Sequence, residues 1–123
     1  RQLAAIRPPA GMSLRRGALV TVAAKGAYTG KPRPALVVQA GETLPYRDSV
    51  TVCLLTSELI DAPLFRVRVE PAAANGLSRT SDVMADKVTT VPRDLLSTKP
   101  FGRLSAEDLG RVEEALRFWL GLG

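Results

Sequence analysis

Five short apolar or alternating runs, separated by turn-rich stretches, occupy most of the chain, and a single segment of helical period closes it. Ala18 to Ala24 is apolar and β-branched, and it reads as a first strand. Lys25 to Pro34 holds two glycines and two prolines and reads as a loop, before a second strand over Ala35 to Ala40. Gly41 to Asp48 is a further loop, and Val50 to Leu55 is a third, almost wholly apolar strand. Leu64 to Val69 alternates, which predicts Phe65, Val67 and Val69 inward with Arg66 and Arg68 outward. Ser81 to Val91 is a fifth, less regular strand. Strands this short and this closely spaced predict a mostly β, α+β fold, a small barrel or strongly bent sheet.

The period then changes. Ser105 has the character of an N-cap, and Asp108 three residues on completes a pattern close to a capping box. Glu107 with Arg111 and Glu113 with Arg117 stand at the favourable i,i+4 spacing. Leu109, Val112, Leu116, Trp119 and Leu120 form one apolar stripe, and Ala115, Phe118 and Leu122 widen it to an arc of about 200°. Such an arc exceeds one core contact. Phe118, Trp119 and Leu122 either meet a second subunit or dock into a groove of their own domain.

At 123 residues with 46% hydrophobic, the chain has room for one domain with a real core. No apolar run approaches the roughly 20 residues of a membrane helix, and no secretory-type apolar core is present, so the expected location is cytoplasmic. One cysteine, Cys53, excludes an internal disulfide, and its mid-strand position reads as a small buried hydrophobe. The absence of histidine removes Ser-His-Asp and Cys-His nucleophile systems, histidine-built zinc sites and two-histidine RNA cleavage. No metal site or cofactor is expected. The charge is +5 overall but uneven: seven basic residues and no acid precede Glu42, against ten basic and twelve acidic from there on. A locally basic surface attracts polyanions, nucleic acid first. Residues 1–11 differ in character from the rest of the chain, and Met12 reads as the native start, with 1–11 an upstream or non-native extension and 12–123 a single domain.

Three places carry candidate chemistry. Pro32 and Pro34 stiffen the backbone on both sides of Arg33, which makes its guanidinium either a preorganised phosphate clamp or an ordinary solvated arginine at the start of a strand. Thr56 and Ser57 close the apolar third strand. Their hydroxyls either donate to a phosphate oxygen or cap the turn over Glu58–Asp61. The loop from Lys25 to Lys31 combines two ammonium groups, two glycines and Tyr28, a combination suited to single-stranded RNA, with charge for the backbone and a ring for a base.

The ordered set Arg15-Arg16-Gly17, Arg33-Pro34-Ala35-Leu36-Val37-Val38, Leu55-Thr56-Ser57, Pro63-Leu64-Phe65-Arg66-Val67, Asp86-Lys87-Val88-Thr89-Thr90-Val91 and Gly102-Arg103-Leu104-Ser105 resembles the MazF/PemK family. These are toxins of type II toxin–antitoxin pairs. The resemblance spans about Leu14 to Leu122. It implies an SH3-like bent sheet with a C-terminal helix, a homodimer, and a metal-independent endoribonuclease acting on single-stranded RNA, mainly mRNA. The implied products are a 2′,3′-cyclic phosphate and a free 5′-hydroxyl, and the implied partner is an antitoxin lying over the RNA groove. By the same resemblance Arg33 and Thr56 are the catalytic positions. Arg15, Arg16, Lys25, Tyr28, Lys31 and Ser57 are assigned to RNA, and Glu58 or Asp86 to proton transfer. Two features depart from the family pattern. The loop from Lys25 to Lys31 has no acid where many members carry one. The position before the fifth strand is Thr80 or Ser81, with Asp82 one or two residues away. Two other readings share the fold: a non-enzymatic gyrase-binding poison and an inactive RNA-binding module.

Overall fold

The computed structural model describes residues 14–23 and 31–123. Its six strands are β1 (Ala18–Val22), β2 (Arg33–Val37), β3 (Ser49–Thr56), β4 (Arg66–Val69), β5 (Ser81–Pro92) and β6 (Gly102–Arg103), followed by the helix α1 (Ala106–Leu120). All pairings are antiparallel, in the order β4-β5-β3-β2-β1-β6. The result is the curled, SH3-like sheet with a C-terminal helix that the strand spacing and the resemblance imply.

The sheet carries a core on each face, which explains why Val50 to Leu55 of β3 is almost wholly apolar. Successive side chains alternate between two cores. Leu19, Leu36, Cys53 and Leu55 pack with Val112 and Ala115 of α1. Val20, Ala35, Val37, Val50 and Val52 pack on the other side with Leu44 and Leu96, which two short 3₁₀ turns, Gly41–Tyr46 and Arg93–Leu95, help to bring in. Burial pushes the Cys53 thiol up to about 12, with Asp86 adding to the effect. The residue is therefore core, and an inert thiol.

Boundaries shift for identifiable reasons. β2 begins earlier than its apolar residues because Arg33 and Pro34 pair with Val22 and Thr21 of β1. Pro34 lies beyond the last β3 partner, at a strand end where a missing N–H is tolerated. β2 stops at Val37 because the amides of Val38 and Gln39 both turn to the Thr51 carbonyl, at 3.1 and 3.3 Å. β6, unforeseen from its two residues, pairs Arg103 with Ala18 and Gly102 with Leu19. A Cβ at Gly102 would stand 2.2 Å from the Asn75 carbonyl oxygen, so only glycine fits there.

The helix is capped as expected at its start: the Ser105 hydroxyl accepts from the Asp108 amide at 3.0 Å. Its charge pairs differ from the i,i+4 expectation. Arg111 donates to Asp108 at 2.9 Å and to the Arg68 carbonyl at 3.0 Å, and Glu113 pairs with Arg16 at 2.6 Å. Arg111 thus keeps an intrahelical partner at i,i+3, while at Glu113 a tertiary partner replaces an intrahelical pair worth only about 0.2–0.5 kcal/mol. Among the described residues no helix is long and apolar enough to cross a membrane.

β5 owes its irregularity to a bulge. Cys53 faces Val88, yet Leu55 two residues later faces Val83, so β5 carries extra residues between these pairs. Asp86 stands in this bulge. Its carboxylate accepts two hydrogen bonds from Arg66 on β4, at 2.7 and 2.9 Å. Arg66 is thus drawn against the sheet rather than outward into solvent. The Arg66 hydrogen bonds hold the Asp86 carboxyl below its ordinary value, against a smaller opposing effect of burial.

Truncating Leu36, fully buried between β1 and β3, is expected to cost about 2–5 kcal/mol, read as a lowered urea midpoint for Leu36→Ala. Asp86 contributes stability above the unfolded carboxyl value of about 3.9 and loses it as pH falls through the lower folded value. The stability gap between wild type and Asp86→Asn should therefore be widest above about pH 4 and close in stronger acid, as measured by urea titrations across that range.

Candidate functional site

The β2–β3 register sets Leu36 opposite Cys53 and Ala35 opposite Leu54. Continued past the last bonded pair, it brings Arg33 opposite Thr56. Both line an open groove of about 540 Å³ at this end of the sheet, with Ser57, Glu58, Thr21, Arg79 and Phe101 among the other walls. The two prolines and the ladder to β1 fix the backbone of Arg33, whose side chain is exposed.

Thr56 has a second local constraint. Its Oγ1 accepts the Glu58 amide hydrogen at 3.0 Å. The turn-capping role is therefore real, and it leaves the hydroxyl hydrogen to point elsewhere. The far end of the same turn is tied down by Asp82, 1% exposed and opposite Thr56 in the β3–β5 ladder. Asp82 accepts from Arg68 Nε at 3.0 Å and from the Ile60 amide at 3.4 Å, and Arg68 also donates to the Ile60 carbonyl at 3.0 Å. Asp82 acts as an anchor beneath the turn that presents Thr56, Ser57 and Glu58.

The groove thus assembles four of the residues singled out in the sequence: Arg33, Thr56, Ser57 and Glu58. Glu58 is its one carboxylate among the described residues. Asp86 does not line it and is held by Arg66, which argues against a proton-carrying role for Asp86 here. Lys31 is exposed just before β2 but is not part of the wall. Arg15 and Arg16 line a neighbouring groove with Arg103 and Phe101, and Arg16 is paired with Glu113. Lys25 and Tyr28 lie outside the described residues, as does the extension at 1–11.

Arg79 and Phe101 escape sequence reasoning because each lies in an irregular segment with no periodic signal, and only the folded sheet brings them beside β2 and β3. Of the three residues assigned to a subunit contact, Phe118 and Leu122 are exposed, and Trp119 is exposed on one side while its ring meets that of Phe65 with centroids 5.2 Å apart.

The arrangement is one of fixed positive charge and oriented hydroxyls at an open surface, without a buried nucleophile. It suits a phosphodiester of an extended strand, whose charge needs donors from two directions. Comparison with known proteins shows the family. Residues 15–120 match the family described as PemK-like, MazF-like toxin of type II toxin-antitoxin system. A probable endoribonuclease MazF of Mycolicibacterium smegmatis is 50% identical, the match covering 89% of this chain and 98% of the relative. The solved structure of Mycobacterium tuberculosis toxin MazF-mt6 superimposes with a TM-score of 0.70 at 27% identity, covering 85% of this chain and 97% of that one. The fold is also that of an endoribonuclease in complex with its cognate antitoxin from a mycobacterial species, with a TM-score of 0.72 at 21% identity, over 90% of this chain and 98% of that one. By the match across nearly all of its described length and the close curated relative, this chain belongs to the PemK/MazF family of type II toxin–antitoxin toxins.

Proposed function

We propose that this chain is a sequence-specific endoribonuclease toxin that cuts single-stranded RNA, mainly mRNA, without a metal ion and is neutralised by a cognate antitoxin. The observation that carries this reading is that Arg33 and Thr56 share the wall of one open groove, which two arginines and one carboxylate line. The half-identical relative, a probable endoribonuclease, points the same way.

The reaction needs little from the protein beyond charge and geometry. The ribose 2′ oxygen attacks the adjacent phosphorus, a 2′-O–P bond forms and the P–O5′ bond breaks. This leaves a 2′,3′-cyclic phosphate on one fragment and a 5′-hydroxyl on the other. One proton leaves the 2′ oxygen and one arrives on the departing 5′ oxygen. An arginine guanidinium stays protonated in proteins, so Arg33 serves as the fixed charge on the phosphoryl oxygens rather than as a base. Thr56, whose oxygen already accepts the Glu58 amide, directs its O–H to the same oxygens. Glu58, on that turn, is the carboxylate placed to carry a proton. Ser57, Lys31, Arg15 and Arg16 hold the strand on either side, and no cofactor takes part.

Two subunits are proposed to pair through the exposed end of α1, where Phe118, Trp119 and Leu122 stand outside the core. The antitoxin is proposed to lay an acidic, apolar-studded tail over the groove and to order as it binds.

Cleavage of a long unstructured RNA in EDTA tests the catalytic reading. Arg33→Ala and Thr56→Ala should each lower the rate by about 10²–10³-fold, while Thr56→Ser retains most of it and all variants keep the wild-type circular dichroism. RNA left intact by the wild type would return the chain to a gyrase-binding poison or a binding module. Saturating antitoxin should displace RNA from the surface around Arg33 and Lys31. RNA held at undiminished affinity would separate the two sites.

A further inference from the structure

We propose that the groove at Arg33 and Thr56 is one half of a longer RNA track, which continues across Phe101 to Arg103 and Arg15. There Phe101 stacks on a base, and the two arginines hold a backbone phosphate of a nucleotide flanking the cleaved bond. This rests on the reading of the chain as an RNA-cutting toxin and extends it to how far the substrate is gripped.

Continuity is the first observation. Phe101 lines the Arg33/Thr56 groove and also a second groove of about 550 Å³, whose walls include Arg15, Arg16 and Arg103. The ring is the shared wall, so a strand leaving the first groove on that side passes over it.

Charge is the second. The second groove has three arginines on its walls and no carboxylate, and only Arg16 among them is paired, with Glu113. Arg15 and Arg103 are exposed and have no acidic partner among the described residues. The groove between α1 and β4 is the opposite case. Its arginines are engaged by Asp86, Asp82 and Asp108, so that surface presents mixed charge.

Rigidity is the third. Phe101 is 38% exposed, yet its backbone is fixed. Its amide donates to the Leu19 carbonyl at 2.9 Å, and the Arg103 amide donates to the Ala74 carbonyl at 3.0 Å. Gly76 lies against it closely enough that a Cβ there would stand 2.6 Å from the Phe101 carbonyl oxygen and 3.2 Å from the ring. An aromatic ring already held at the surface loses little freedom when a base stacks on it. Phe101, just before β6, and Arg103 within it line the same groove. A flat ring beside two guanidinium groups without acidic partners suits a nucleotide strand, which brings a base and a phosphate together.

The test is fluorescence anisotropy with fully 2′-O-methylated, hence uncleavable, single-stranded RNA, as a short oligonucleotide and as the same one extended at both ends. Wild type should bind the extended RNA more tightly. Phe101→Ala should lose about 5- to 100-fold on the extended RNA, and Phe101→Trp should restore it. Arg103→Gln, at an exposed position, should remove most of the gain from extension and lower the slope of log Kd against log salt by about 0.7. Urea midpoints accompany each variant. Extension that brings wild type no gain, or a gain that survives both Phe101→Ala and Arg103→Gln, overturns the proposal. Variants that weaken only an acidic antitoxin peptide overturn it in favour of a protein-binding groove. If extension tightens binding in the predicted way while wild type fails to cut unmodified RNA, the cleavage reading falls and the track stands.

Discussion

The register between β2 and β3 is the constraint on which the rest depends. With Leu36 opposite Cys53, one set of side chains enters the core under α1, and Ala35, Val37 and Val52 enter the core on the other face. A slip of one residue would send each set to the wrong side, and with both faces buried there is no solvent-facing alternative. The same register, carried beyond the apolar residues, leaves Arg33 and Thr56 opposed where the ladder ends. The candidate site is thus a continuation of the core by other residue types: hydrophobic burial holds its strands, and hydrogen bonds of Thr56 and Asp82 hold its turn.

Local signals in the sequence carry the longer elements and not the shortest strand or the partners. The alternation around Phe65, Val67 and Val69, the apolar run of β3 and the Ser105 cap are short-range features, and the folded chain keeps them. β6 has two residues and no period, so only its ladder to β1 reveals it. The pairing of Asp86 with Arg66 is not legible in the sequence, because the bulge that holds Asp86 arises from a register mismatch between β3 and β5, strands distant along the chain. Glu113 has Arg117 at helical spacing and takes Arg16 instead, because tertiary docking brings Arg16 within 2.6 Å. Arg33 and Thr56 are candidates by the resemblance and by their strand-end positions, and the fold sets both on one groove wall. Arg79 and Phe101 are not legible in the sequence, since neither their neighbours nor their spacing indicates where the fold delivers them.

Pairing across the fold also changes what the charge count means. By sequence the excess of positive charge lies before Glu42, and the remainder is slightly acidic. In the structure, Asp82, Asp86, Asp108 and Glu113 are engaged by arginines on or near β4 and α1. Acids used in this way are not available to balance Arg79 and Arg103, which come from the nominally acidic part of the chain and lie with Arg33 and Arg15 along the two grooves that meet at Phe101. One surface is electrically mixed and the other nearly uniform in sign, although most of the sequence is close to balanced.

This segregation bears on how the proposed cleavage can proceed at a site without histidine. A transesterification at phosphorus requires that charge building on the phosphoryl oxygens be met by donors that do not have to reorganise. The backbone of Arg33 is fixed by two prolines and a ladder. The hydroxyl of Thr56 has its acceptor capacity partly used by the Glu58 amide, which biases its hydrogen away from the turn. The turn is anchored by buried Asp82 through Arg68 and the Ile60 amide. Each constraint lies on the protein side of the groove, while the open side is left to the strand. Such an arrangement favours binding energy collected along an extended polyanion over enclosure of a small molecule, because an exposed groove gains its selectivity from length of contact rather than from burial.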